Sequence, residues 1–130
     1  MTVKGLRFNG GRKSEVVDFP DELPGAGEVL VRLRASGLCG SDLHRYRADP
    51  TVQAPLKTRP GHEPCGEVVE LGKGVTRVRV GDRIMQHHYL GCMECNYCRT
   101  GWAQLCPVVE KRRYYGGSNH GGHGEFMVAH

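Results

Sequence analysis

Long apolar runs are absent from this sequence. No window approaches the ~18 apolar residues needed to cross a bilayer. The opening run Met1-Thr-Val-Lys-Gly-Leu-Arg-Phe-Asn has no apolar stretch of signal-peptide length. These absences argue against a membrane role and against export, and the cytosol is the expected compartment. A dinucleotide fingerprint is missing as well. Gly25-Ala-Gly27 begins like one, but it precedes a strand pattern, and its sixth position is Leu30. There are no internal repeats and no helical pattern longer than about three turns. Concentrated positive charge is also lacking. Eighteen Lys and Arg against 14 Asp and Glu give +4 with histidine neutral, and the densest cluster is only Lys111-Arg112-Arg113. Nucleic-acid binders concentrate charge and interleave aromatics. The scattered pattern here is that of a solvated surface, with no nucleic-acid partner.

What is present suits one folded domain spanning residues 1–130. Hydrophobic residues make up 38% and charged residues 25%, values of a globular chain. A nicotinamide-dependent enzyme needs a dinucleotide domain beside its substrate domain, and 130 residues cannot hold both. Nineteen glycines and seven prolines favour many turns and short strands. Val3–Phe8 and Ser14–Phe19 read as a hairpin across Asn9-Gly10-Gly11. Residues 28–35 alternate, with Val29, Val31, Leu33 and Ala35 on one face. Further strands are expected at 66–71, through Val75, Val78 and Val80, at 83–88 and from Glu125 onward, with a short helix after Cys39. The fold class is mainly β, a barrel or sandwich.

Six cysteines in a reducing compartment point to metal or catalysis before disulfides. Cys92, Cys95, Cys98 and Cys106 follow C-x2-C-x2-C-x7-C within an irregular lobe at about 90–107. Thiolates at this spacing can close a tetrahedron around zinc. With all four positions filled by protein, such a site is structural, and its binding energy is folding energy for the lobe. An iron–sulfur electron carrier is the competing reading, since Pro107 follows the last cysteine. Its usual final spacer is three residues rather than seven, and no second cysteine run exists. A redox C-x-x-C pair and four inert buried thiols are the remaining readings.

A second constellation joins Cys39-Gly-Ser-Asp-Leu-His44 to Gly61-His62-Glu63-Pro-Cys-Gly66. One thiolate, one imidazole and one carboxylate leave an open position, the pattern of a catalytic zinc. Asp42 could accept a hydrogen bond from the far nitrogen of His62 and fix its tautomer.

Here the chain resembles the N-terminal, GroES-like catalytic domain of the zinc-dependent medium-chain alcohol dehydrogenases. Three motifs carry the resemblance: Gly61-His62-Glu63-x2-Gly66-x5-Gly72-x2-Val75, Cys39-Gly-Ser-Asp-x-His44 and the four-cysteine lobe. Gly124-Glu-Phe-Met-Val also resembles the strand that follows the lobe in that family. The resemblance implies a partly open β-barrel with short helices and a structural zinc lobe. It implies that Cys39 and His62 ligate a catalytic zinc, with Glu63 beside it as a transient or direct ligand. Ser41 and His44 would relay a proton from substrate hydroxyl to solvent, His44 having an ordinary pKa suited to release. Ser41 could also, or instead, cap the helix, and His44 could be a plain surface histidine. Cys92, Cys95, Cys98 and Cys106 would hold the structural zinc.

The implied activity is oxidation of a small alcohol or polyol with NAD or NADP. In the family the cofactor domain and a third zinc ligand lie past residue 130. This chain alone is therefore expected to bind the structural zinc firmly and the catalytic zinc weakly or not at all, without turnover. The parent would be a homo-oligomer and this piece a monomer. Gly40 stands where some members carry a basic residue for the cofactor pyrophosphate, which points toward the polyol and threonine dehydrogenase branches. A stand-alone zinc module acting through a partner is the alternative. Cys65 reads as a small buried apolar residue. His87 and His88 are expected on opposite strand faces, with one of them a candidate for lining the substrate cleft. His120 and His123 are expected in a solvent-exposed loop.

Overall fold

The hairpin forms as its pattern demands. In the computed structural model, which describes residues 2–20 and 22–130, β1 (Thr2–Gly10) pairs antiparallel with β2 (Lys13–Pro20). The two-residue turn is Gly11-Arg12, one place later than expected, with φ of 57° and 61°. Positive φ at both positions matches the twist of the flanking strands. A register shift between Phe8 and Gly10 absorbs the extra residue.

The main sheet has the order β5-β4-β3-β8, from β3 (Val29–Ser36), β4 (Pro64–Leu71), β5 (Arg83–Met85) and β8 (Phe126–Ala129). Val29, Val31, Val68, Tyr115, Met127 and Ala129 form the buried core, with Leu33, Val75, Val78, Ile84 and Leu90 packed against it. Gly66 permits the close β3–β4 approach, since a Cβ there would run into the Arg32 carbonyl. The hairpin joins this sheet through residues 123–125. Leu6 N–H donates to the His123 carbonyl, Glu125 N–H to the Lys4 carbonyl and Leu33 N–H to the Glu125 carbonyl. The sheets do not close on one another, so the mainly β, partly open architecture stands.

Three local expectations change. Ala35 is exposed, because a register shift between Leu33 and Ala35 breaks the two-residue period. Val75, Val78 and Val80 make no strand. Their segment is turns held by Gly72 N–H on the Glu28 carbonyl and Gly81 N–H on the Val68 carbonyl. Val75 and Val78 still pack on the core, while Val80 is exposed. The strand expected at 83–88 stops at Met85, and β6 (Tyr89–Leu90) follows.

The helix is α1 (Gly40–Arg47), and Cys39, not Ser41, is its N-cap. Its C-terminal carbonyls are met by the hairpin turn: Gly11 N–H donates to Ala48 and Arg12 N–H to Tyr46. This fixes α1 against β1. The cysteine lobe leaves the sheet after β6 and returns at β7 (Arg113–Tyr114), the two short strands pairing at its base. Within it lie α2 (Asn96–Arg99) and a 3-10 turn at Ala103–Leu105. Arg113 donates to Glu28 at 2.8 Å and ties the lobe's exit to the loop before β3.

Candidate metal centres

The lobe has almost no core of its own. Among its described side chains Cys106 alone is fully buried, while Met93, Tyr97, Trp102, Leu105 and Val109 are exposed. A segment with so little buried apolar surface does not order itself by packing. What it does gather is sulfur. The Sγ atoms of Cys92, Cys95, Cys98 and Cys106 all lie within 4.8 Å of one another. Backbone N–H groups point at them: Cys95 N–H at Cys92 Sγ (3.3 Å), Cys98 N–H at Cys95 Sγ (3.5 Å) and Cys92 N–H at Cys106 Sγ (3.4 Å). The N–H groups of Glu94 and Cys95 pull the Cys92 thiol down to about 6. Burial pushes Cys98 up to about 12. Four thiols in contact resist losing all their protons unless a cation offsets the charge. The donor set fits a closed, four-thiolate zinc site.

The second cluster is assembled from different elements. Cys39 caps α1, and His62 and Glu63 lie in the turn before β4. Gly37 N–H donates to the Glu63 carbonyl at 2.9 Å and draws the two segments together. Gly61 takes φ +97°, and a Cβ there would lie 2.6 Å from the His123 amide nitrogen, so only glycine fits. One donor atom each from Cys39, His62 and Glu63 falls within 4.8 Å of the others. Unlike the lobe, this cluster is open, with Glu63 exposed. The mixed sulfur, nitrogen and oxygen donors fit zinc with a free coordination position.

Ser41 Oγ stands beside the cluster, 3.6 Å from Cys39 Sγ and 3.5 Å from His62 Nε2. His44 is exposed on the same helix, and no hydrogen bond joins it to Ser41 among the described residues. Asp42 is buried at 4% exposure, and its Oδ2 accepts from the Cys39 amide at 2.9 Å. The expected Asp42–His62 hydrogen bond is not formed, Asp42 Oδ1 lying 4.0 Å from His62 Nδ1.

The histidines set aside in the sequence behave differently from expectation. The rings of His87 and His88 are not on opposite faces. Their centroids are 5.0 Å apart, because the strand ends at Met85 and the period of two is lost. His88 reaches within 5.5 Å of the His62 ring, and burial, aided by His87 and His62, lowers its pKa. His120 and His123 are not solvent-exposed. The loop carrying them is strapped inward by Gly121 N–H on the Arg59 carbonyl and His123 N–H on the Pro60 carbonyl. Burial, with Arg59 adding to it, takes His120 down to about 4. Cys65 is half-buried rather than fully so. The clustering of His88 and His123 near His62 had no spacing signal, since each comes from a separate loop.

Comparison with known proteins agrees with this fold. Residues 25–130 match the family described as the alcohol dehydrogenase GroES-like domain. An alcohol dehydrogenase of Geobacillus stearothermophilus is 44% identical over 104 residues, covering 79% of this chain and 30% of that protein. A cobalt- and zinc-bound thermostable alcohol dehydrogenase from Pyrobaculum aerophilum superposes with a TM-score of 0.82 at 31% identity, over 99% of this chain and 39% of that one. A Sinorhizobium meliloti protein solved with NADP bound superposes with a TM-score of 0.76 at 30% identity, over 99% of this chain and 36% of that one. The chain thus spans about a third of the length of these relatives. No helix among the described residues is long and apolar enough to cross a membrane. With its fold and a family match over most of its length in agreement, the chain belongs to the GroES-like domain family of the alcohol dehydrogenases.

Proposed function

We propose that residues 1–130 form the zinc-bearing catalytic domain of an NAD(P)-dependent dehydrogenase that oxidises a small primary or secondary alcohol or a polyol. The observation that carries this reading is the convergence of Cys39, His62 and Glu63 beside the Ser41 hydroxyl. In this reading Cys39 and His62 ligate the catalytic zinc with Glu63 beside it as a transient or direct ligand, and Cys92, Cys95, Cys98 and Cys106 hold the structural one. A zinc ion at the open cluster would supply Lewis-acid polarisation of a substrate oxygen.

The remaining chemistry belongs to the chain. Ser41 Oγ, within 3.6 Å of two of the donors, takes the proton leaving a substrate hydroxyl bound there as it gives up its own hydroxyl proton. His44 sits one helical turn further along α1 and is open to solvent, where an imidazole can hand the proton to water. Ser41 and His44 are three residues apart and so share a helix face. The nicotinamide cofactor would be held outside these residues, so the 130-residue chain by itself binds zinc without turning over alcohol.

Metal analysis and assay test this together. Zinc held firmly in the lobe, a second and weaker zinc lost in His62→Ala, and no alcohol oxidation by this chain with NAD(P) are expected. A brown, iron-containing protein would sink the reading in favour of an electron carrier. Oxidation of an alcohol with NAD(P) by this 130-residue chain alone, at a rate like that of full-length relatives, would overturn it.

A further inference from the structure

Asp42 lies between two imidazoles. Its Oδ1 faces His62 Nδ1 at 4.0 Å, and its Oδ2 faces His123 Nε2 at 3.8 Å. All three side chains are largely buried, with 12% exposure for His62, 9% for His123 and 5% for Asp42. His123 Nε2 is fully buried and makes no hydrogen bond. A buried ring nitrogen without a partner is costly, and Asp42 is the acceptor facing it. At 3.8 Å this is a close electrostatic contact rather than a formed hydrogen bond, made to an oxygen that also accepts the Cys39 N–H at 2.9 Å.

The backbone around His123 is built to hold the ring there. Its N–H donates to the Pro60 carbonyl at 3.0 Å, and its carbonyl accepts from Leu6 N–H at 2.8 Å. The Phe8 ring packs edge-on at 6.2 Å between centroids. Gly61 leaves the space the ring uses, since a Cβ there would lie 2.7 Å from His123 Nδ1. His62 meanwhile turns its Nε2 toward Ser41 and Cys39. If its Nδ1 carries the proton, Nε2 keeps the lone pair that a metal needs.

We propose that His123 is a positioning residue that orients the Asp42 carboxylate through Oδ2, so that Oδ1 selects the His62 tautomer whose Nε2 lone pair faces the open cluster. The array runs His123–Asp42–His62 and ends at the donor set. The metal consequence rests on the reading of Cys39, His62 and Glu63 as ligands; the tautomer consequence does not. Partners that orient a ligating histidine change metal affinity by about 10–100-fold.

Two readouts on the 130-residue chain test this. Nitrogen NMR of the metal-free chain reports the His62 tautomer. Wild type should hold its proton on Nδ1, His123→Phe should move it substantially toward Nε2, and His123→Gln, which keeps a side-chain N–H, should restore the wild-type state. Cobalt titration, followed through its visible absorption, should show His123→Phe weakening the open cluster by about 10-fold or more. Binding in the four-cysteine lobe should be unchanged. An unchanged His62 tautomer in a folded His123→Phe chain overturns the proposal, as does a His123→Gln chain that behaves like His123→Phe. If the tautomer shifts as expected while wild type takes no cobalt at the open cluster, the positioning role stands and the metal reading of that cluster falls.

Discussion

The two donor clusters differ in how the chain builds them. The lobe collects four thiols from a single 15-residue stretch, Cys92 to Cys106, with hardly any apolar side chain buried beside them. The open cluster collects Cys39, His62 and Glu63 from two segments held together by a strand end, a helix cap and a strapped loop. In the lobe the donors make the structure, whereas at the open cluster the structure places the donors. A structural zinc contributes on the order of 10 kcal/mol of folding free energy. A catalytic zinc on a framework already folded contributes little to the framework.

The sharpest break of that contrast is Cys106→Ser. It should abolish metal binding by the lobe and raise proteolytic cleavage within residues 91–112 by at least about 10-fold, while the β5-β4-β3-β8 sheet stays folded. Zinc content and mapped cleavage sites check both halves. Next comes His62→Ala. It should empty the open cluster yet move Tm by no more than about 8 °C, the scale of a roughly 1 kcal/mol change, as calorimetry would show. A larger collapse would mean that this cluster, too, supports the fold. Asp42→Asn should weaken cobalt at the open cluster by about 10–100-fold and leave the lobe's affinity alone. Equal losses at both clusters would erase the distinction.

A different effect separates both clusters from the body of the protein. His120 is neutral in the fold, with its pKa taken from 6.5 to about 4 by burial and by Arg59. Its Nδ1 accepts the Arg59 N–H at 3.0 Å, a bond that protonation would break. A folded pKa below the unfolded one means that the unfolded chain binds more protons between the two values. The stabilisation is therefore present above about pH 6.5 and lost progressively as pH falls toward 4. Denaturant titrations across that window should show the loss, and His120→Gln should flatten it. An unchanged slope in the variant would remove His120 as its source.

Legibility in the sequence followed the same division. The lobe could be read from spacing because its ligands are near neighbours. The hairpin, β3 and β4 could be read because alternation is a local property. The run Val75, Val78, Val80 misled, since two of the valines pack on the core from turns rather than from a strand. Cys39, Ser41, His62 and Glu63 were recognised from two short motifs, and the fold brings them together as the motifs require. His123 gave no such signal. Its glycine-rich surroundings suggest a loop in water, yet hydrogen bonds from residues 121–123 to Arg59, Pro60 and Gly61 turn that loop inward.

By itself, then, the sequence determined the candidate donors that the fold gathers: four thiols at metal spacing, and a cysteine, a histidine and a glutamate in two motifs. It also determined most of the strands, since period-two alternation needs only adjacent residues. Tertiary structure alone decided which histidines belong to the centre. His88 and His123 arrive from loops distant in sequence from His62. Their placement depends on backbone hydrogen bonds and on the space left at Gly61, neither of which residue spacing encodes.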